Sequence, residues 1–130
     1  MAVKAGHLAD AVALVHFYVG LNLGAAARAA LDGGDVAIAT TTVWELAIRT
    51  AAGKLPDLRL PGASSLSAMF RGQGFSLIDL TPEMAEAAAS LPLHHRDPFD
   101  RALVATAIAT GRVVLTNDAV FAAYGIETSW

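Results

Sequence analysis

Short apolar runs alternate along the chain with longer segments in which apolar positions recur every three or four residues. The short runs predict buried strands, and the longer segments predict helices with one buried face. The predicted strands are Val3–Ala9, Val36–Ala39, Phe75–Leu80, Arg112–Thr116 and Ile126–Ser129. The predicted helices are Ala11–Val19, Leu23–Leu31, Thr41–Ala52, Gly62–Arg71, Pro82–Ser90, Pro98–Thr110 and Asp118–Tyr124. Alternating strands and helices predict a three-layer α/β/α domain around a mostly parallel sheet.

Length and composition narrow the class of protein. The 130 residues, 55% of them hydrophobic, suit one domain over residues 1–130 with a real core. No apolar run reaches the roughly 18 residues that a membrane span needs, and the N-terminus makes a poor signal peptide. The absence of cysteine excludes disulfides and thiolate metal sites and fits the cytoplasm. A net charge of −3 argues against a basic nucleic-acid binder of the usual kind.

Four carboxylates stand where a short apolar run ends or a helix begins: Asp10, Glu45, Asp100 and Asp118. In an open parallel sheet the carboxyl ends of the strands gather at one edge, where ligands bind. Four acids that meet there repel one another unless cations hold them together. Carboxylate oxygens suit Mg²⁺ or Mn²⁺, and these ions serve phosphoryl-transfer chemistry. The pattern therefore predicts a metal-dependent nuclease.

Each of these acids also has a purely structural interpretation. Asp10 and Asp118 can cap the helices that follow them, and Thr42 with Glu45 has the spacing of a capping box. Asp100 can make a favourable contact with a helix dipole, worth under about 1 kcal/mol. Helix capping does not require four acids on one edge of one sheet, so the joint pattern favours a shared site.

Neighbouring polar residues complete the candidate site. Asp97 fits an N-cap with Pro98 at the first helical position, although it lies close enough to assist. Thr116 and Asn117 can hydrogen-bond a metal-bound water or a phosphate oxygen. His94 and His95 can be metal ligands, proton shuttles or RNA contacts, but two histidines before a helix favour exposed loop positions.

Four cationic side chains are the candidates for phosphate contacts, because arginine forks match phosphate oxygens. They are Arg49, Lys54, Arg96 and Arg101. Each can instead be a solvated surface charge. Arg49 is four residues after Glu45 and can pair with it on one helix face, which would keep that carboxylate ionised.

Several stretches carry a resemblance to a known family. They are Thr42–Arg49 (Thr-Val-Trp-Glu-Leu-Ala-Ile-Arg), Gly53–Pro56, Leu91–Arg101, Leu115–Asp118 and Phe121–Gly125. Through them nearly the whole chain resembles the PIN-domain proteins, and among these the VapC-type toxins of bacterial toxin–antitoxin pairs. The resemblance implies that Asp10, Glu45, Asp100 and Asp118 bind a Mg²⁺ or Mn²⁺ ion in an endoribonuclease. It also implies a homodimer and a cognate antitoxin that covers the site.

The N-terminal quarter departs from that family's pattern. The family usually carries Ser or Thr after the first acid and then often His, whereas this chain has Ala11 and Val12. The change removes a hydroxyl that could hold a water or a phosphate. It keeps open an alternative function, a degenerate PIN domain that binds RNA or a protein partner without cleaving.

Two other phosphoryl-transfer classes fit poorly. An aspartyl-phosphate phosphotransferase with Asp10 as nucleophile would need a second Asp where Val12 stands. A receiver-type phosphorylation switch would need a lysine at a late strand end, and no lysine follows Lys54.

Overall fold

The computed structural model describes residues 6–130. Five strands form one sheet: β1 (His7–Ala9), β2 (Val36–Ala39), β3 (Ser76–Ile78), β4 (Val113–Leu115) and β5 (Thr128–Ser129). Their order across the sheet is β3-β2-β1-β4-β5, and all four pairings are parallel. The predicted parallel sheet is confirmed. Residues 3–5 of the first predicted strand lie outside the described residues.

Six α-helices connect or flank the strands. They are α1 (Ala11–Val19), α2 (Ala25–Gly33), α3 (Thr40–Ala51), α4 (Leu66–Gly72), α5 (Pro82–Ser90) and α6 (Pro98–Thr110). The segment Ala119–Tyr124, predicted as a short helix, is a 3₁₀ helix. Within residues 6–130, no helix combines the length and the apolar character that crossing a membrane requires.

Helices α4 and α3 are among those that begin at other positions than predicted. Helix α4 begins four residues later than predicted, because the Ser65 hydroxyl accepts a hydrogen bond from the Ala68 N–H and caps the helix there. Helix α3 has Ala39 as its N-cap, with no side-chain cap. The capping box that the spacing of Thr42 and Glu45 suggested is therefore wrong.

The strands bury both faces of the sheet, which confirms the three layers. Ala9, Ile38 and Leu115 belong to one core cluster with residues of α1, α2, α3 and α4. Leu8, Ala37 and Val114, one position earlier in each strand, belong to a second cluster with residues of α6 and the 3₁₀ helix. This alternation follows from side chains that point to opposite faces at successive strand positions. Each buried leucine contributes about 1.5–3 kcal/mol.

The carboxyl ends of the central strands are tied together. The Asp10 N–H donates to the Leu115 carbonyl oxygen at 3.1 Å, so the residue after β1 is fixed beside the end of β4. Helix α3 starts directly after β2 on the same edge. This edge therefore gathers the residues that follow three neighbouring strands, including Asp10 after β1, Glu45 on the helix after β2, and Asp118 after β4. Asp100 joins them from the first turn of α6.

Candidate active site

Asp10 is the most enclosed acid of the cluster. It ends β1 and caps α1, with its Oδ1 accepting the Ala13 N–H at 2.8 Å, and it is only 4% exposed. Burial raises the pKa of its carboxyl, and the charge of Asp118 adds to the rise, whereas the Thr116 hydroxyl and the Ala13 N–H oppose it. Asp10 is thus held in place by the backbone that it caps.

Glu45 lies on α3 and is 6% exposed. Its Oε2 lies 2.7 Å from a terminal nitrogen of Arg49, which confirms the predicted i,i+4 pair. Burial raises the pKa of Glu45, Arg49 lowers it, and Asp100, Asp97 and Asp10 raise it again. Arg49 therefore opposes the neutralisation that burial among other acids favours.

Asp100 lies in the first turn of α6, with its side chain 24% exposed. Its Oδ2 is 3.0 Å from Nε2 of His95. Burial is the main reason that the pKa of Asp100 rises to about 6. Asp97, Asp10 and Asp118 add to the rise, and His95 opposes it.

Asp118 follows β4 and caps the 3₁₀ helix. Its Oδ1 accepts the Val120 N–H at 3.0 Å, and its own N–H donates to the Thr116 hydroxyl at 3.1 Å. The other carboxylate oxygen, Oδ2, lies 3.5 Å from Nε2 of His95. His95 thus stands between Asp118 and Asp100.

Electrostatic repulsion connects the four acids into one cluster. The charge of Asp118 raises the pKa of Asp10, and the charges of Asp100 and Asp10 raise the pKa of Glu45. The charges of Asp10 and Asp118 raise the pKa of Asp100. Asp10 and Asp118 also cap the helices that follow them, so capping and membership of the cluster occur together. A single residue serves both purposes because the helices begin at the edge where the strands end.

The assisting residues lie around this cluster. Asp97 caps α6, as predicted, by accepting the N–H groups of Phe99 at 2.8 Å and Asp100 at 3.4 Å. Thr116 is buried between Asp10 and Asp118. Asn117 is exposed at the cluster's rim.

The candidate phosphate-binding cations occupy different environments. Arg49 contacts the cluster, and Lys54 and Arg96 are exposed. Arg101 is buried, and its terminal nitrogens donate to the backbone carbonyls of Ala89, Leu91, Pro92 and His95. Its guanidinium organises the loop before α6, and these carbonyl contacts occupy the terminal nitrogens that the sequence suggested for a phosphate.

His95 is the site residue that sequence reasoning placed wrongly. The exposed loop position favoured for both histidines is correct for His94, but His95 is half-buried between two acids. Its backbone N–H donates to the Tyr124 hydroxyl at 2.7 Å, and its ring packs against Phe121. A His-His pair directly before an acidic run was the available signal, and nothing in it distinguishes the two rings.

The donor set fits a hard divalent cation by its chemistry. All four principal side chains offer carboxylate oxygens, the ligands that Mg²⁺ and Mn²⁺ prefer. Among the described residues, no three His, Asp or Glu side chains already form a group tight enough to hold an ion. Neighbouring carboxylates repel one another, and a cation bound among them would offset that repulsion.

Comparison with known proteins identifies the family. The family model described as the PIN domain matches residues 8–127. Among solved structures, VapBC2 from Rickettsia felis bound to a promoter DNA fragment has a TM-score of 0.67 at 14% identity, covering 95% of this chain and 98% of that chain. FitAcB from Neisseria gonorrhoeae has a TM-score of 0.64 at 20% identity, covering 94% and 95%. A toxin–antitoxin complex from Klebsiella pneumoniae has a TM-score of 0.59 at 19% identity, covering 88% and 87%.

These structural similarities, all below 25% identity, concern the fold. No curated protein matches the sequence. The family model spans nearly all of the described residues, including all four acids. The chain therefore belongs to the PIN domain family.

Proposed function

We propose that this protein is a Mg²⁺- or Mn²⁺-dependent endoribonuclease and the toxin of a VapC-type toxin–antitoxin pair. The observation that carries the proposal is the convergence of Asp10, Glu45, Asp100 and Asp118 at the carboxyl edge of the sheet. Burial and mutual repulsion raise the pKa of three of these carboxyls, a costly arrangement that a bound cation would relieve. Membership of the PIN domain family supports the same activity.

The four carboxylates would hold the metal, and neighbouring groups hold each of them in position. Asp10 is fixed by the backbone N–H of α1, and Glu45 is oriented by Arg49. Asp100 and Asp118 share contact with His95. When bound, a divalent cation lowers the pKa of a water and stabilises charge on the scissile phosphate. A carboxylate of the cluster would accept the proton of the attacking water.

The partners follow from the family and its solved relatives. The structures named above include toxin–antitoxin complexes, which supports a cognate antitoxin that covers the acid cluster. We propose that the chain acts as a homodimer in the cytoplasm, where its RNA substrate is found. Single-stranded RNA suits the site better than a duplex, because a splayed strand can enter a cleft at the edge of a sheet.

The proposed activity is tested by incubating purified, antitoxin-free protein with total RNA in the presence of Mg²⁺, Mn²⁺ or EDTA. Cuts at a few discrete positions that require a metal and disappear in Asp100→Asn are expected. Asp79→Asn, which alters an exposed acid after β3, is the matched control and should cleave like the parent. Metal-dependent cleavage that Asp100→Asn retains in full would refute the assignment.

A degenerate PIN domain that binds without cleaving is the second candidate. Ala11 and Val12 favour it, because they replace residues that could offer the site a hydroxyl or an imidazole. Metal titration separates the two functions: weak metal affinity together with retained RNA binding would support the binding module.

A further inference from the structure

A small cavity lies directly beside the acid cluster. Its volume is about 140 Å³, and it is lined by Ala11, Val12, Val15, His16, Arg49 and Leu55. These residues come from α1, from α3 and from the loop that follows α3. Ala11 is the next residue after Asp10, and Arg49 forms an ion pair with Glu45. A molecule held at the acids could therefore extend one of its groups into this cavity.

The walls of the cavity combine apolar side chains with the charged guanidinium of Arg49. Ala11, Val12, Val15 and Leu55 are apolar, and the first two are the departures from the family pattern. A guanidinium carries five N–H donors, and the Glu45 contact at 2.7 Å is made through one terminal nitrogen of Arg49. The Arg49 side chain is 46% exposed, so its other donors can reach an acceptor in the cavity. Such walls suit a flat ring that bears a carbonyl oxygen.

The volume matches one six-membered ring. An apolar cavity of about 150 Å³ is enough to bind benzene, and 140 Å³ is close to that size. A purine, with two fused rings, is the poorer match to this volume. A pyrimidine also carries a carbonyl at C2, in both uracil and cytosine, that can accept a hydrogen bond from a guanidinium.

We propose that this cavity binds a pyrimidine base of the RNA strand whose phosphate lies at the acid cluster, and that it gives the enzyme a pyrimidine preference beside the cut. This inference rests on the ribonuclease function proposed above. Ala11 and Val12 then lack the polar side chains usual at these positions and instead form an apolar wall of the base-binding cavity. Arg49 serves both sides, because it orients Glu45 and donates to the base.

The test uses uncharged nucleosides, which need no metal to approach the acids. Methyl NMR spectra of the metal-free protein are recorded with cytidine, uridine, adenosine or ribose. Cytidine or uridine should shift the methyl signals of Val12, Val15 and Leu55. Val12→Phe, which fills the cavity, should weaken this binding about tenfold, equivalent to roughly 1.4 kcal/mol. Val19→Phe, at the exposed end of the same helix, is the matched control and should bind normally.

Leu55→Ala provides a second variant, because it removes a wall on a loop without adding bulk to α1. It should also weaken cytidine binding. Equal shifts with adenosine, shifts with ribose alone, or normal binding by both Val12→Phe and Leu55→Ala would overturn the inference.

Mapping the cut sites in RNA separates this inference from the proposed function. Cleavage with no pyrimidine bias and no nucleoside binding would reject the base pocket and leave the ribonuclease standing. Nucleoside binding in the cavity with no cleavage under any metal would reject the ribonuclease and leave the pocket standing.

Discussion

His95 lies 3.0 Å from Asp100, with its Nε2 atom facing Oδ2 of that carboxylate. The same nitrogen is 3.5 Å from Asp118, so one imidazole links two acids that belong to different helices. A side chain that contacts metal ligands in this way orients the carboxylates that would bind the metal. Loss of such a contact typically weakens metal affinity by roughly 10- to 100-fold.

Replacement of His95 should therefore loosen the cluster. His95→Gln is expected to weaken Mn²⁺ binding by about 10-fold or more, because Asp100 and Asp118 lose their shared contact. Isothermal titration with Mn²⁺ measures the effect. His94→Gln is the control, since His94 is exposed and contacts Tyr124 at the rim. Equal affinities for both variants and the parent would show that His95 does not position the acids.

The acid cluster should make the metal-free protein less stable as pH rises. The pKa of Asp100 in the folded protein is about 6, against 3.8 in the unfolded chain, so the folded state holds this proton more tightly. The free energy of unfolding then falls as pH rises from about 4 to about 6. The shifts of Asp10 and Glu45 act in the same direction. Urea unfolding at several pH values without metal measures this loss.

The same reasoning predicts that Asp100→Asn stabilises the metal-free protein above pH 7. The rise of the Asp100 pKa from 3.8 to about 6 corresponds to roughly 2–3 kcal/mol, of which a gain of about 1–2 kcal/mol should be observed. Added Mg²⁺ should narrow the difference by stabilising only the parent. Asp79→Asn should change stability little. A destabilised Asp100→Asn protein at pH 8 would show that Asp100 contributes net favourable contacts to the fold.

Arg49 should control how far metal binding persists at low pH. Arg49 is the one influence that lowers the pKa of Glu45, against burial and three neighbouring acids. Arg49→Ala should raise that pKa further, so protons compete more effectively with the cation. The pH at which Mn²⁺ affinity is halved should move upward, whereas Arg49→Lys should largely retain the parent value. Mn²⁺ titrations followed by electron paramagnetic resonance between pH 5 and 8 would show no displacement if this account is wrong.

Arg101 should matter for stability. Its guanidinium donates to four backbone carbonyls of residues 89–95, and Arg101→Ala removes these charged donors. Because Arg101 is buried and a hydrogen bond to a charged group contributes about 1.5–3 kcal/mol, a loss of about 2–4 kcal/mol is expected. Arg101→Lys should recover little of it, because an ammonium cannot span the same fork. Arg71→Ala, at an exposed helix end, should unfold at nearly the parent urea concentration; an equally stable Arg101→Ala would contradict the assigned role.

The sequence was sufficient for the sheet and for the edge that carries the acids. Apolar strands such as Val36–Ala39 and the acids after them are local signals, and parallel topology brings the strand ends together. The contacts of His95 and Arg101 could not be predicted, because they depend on the path of the loop between α5 and α6. That loop has no periodic pattern, and its conformation is fixed by tertiary contacts such as the hydrogen bond from His95 to Tyr124.

Asp10 and Asp118 both cap helices and belong to the acid cluster, which affects how loss of activity would appear among related sequences. Both residues cap helices, so selection for a stable fold would retain them in a lineage that had lost catalysis. Glu45 caps no helix, and Asp100 is itself held by a cap from Asp97. Drift at Glu45 and Asp100, while Asp10 and Asp118 persist, would mark the relatives that kept the shape of the enzyme after abandoning its chemistry.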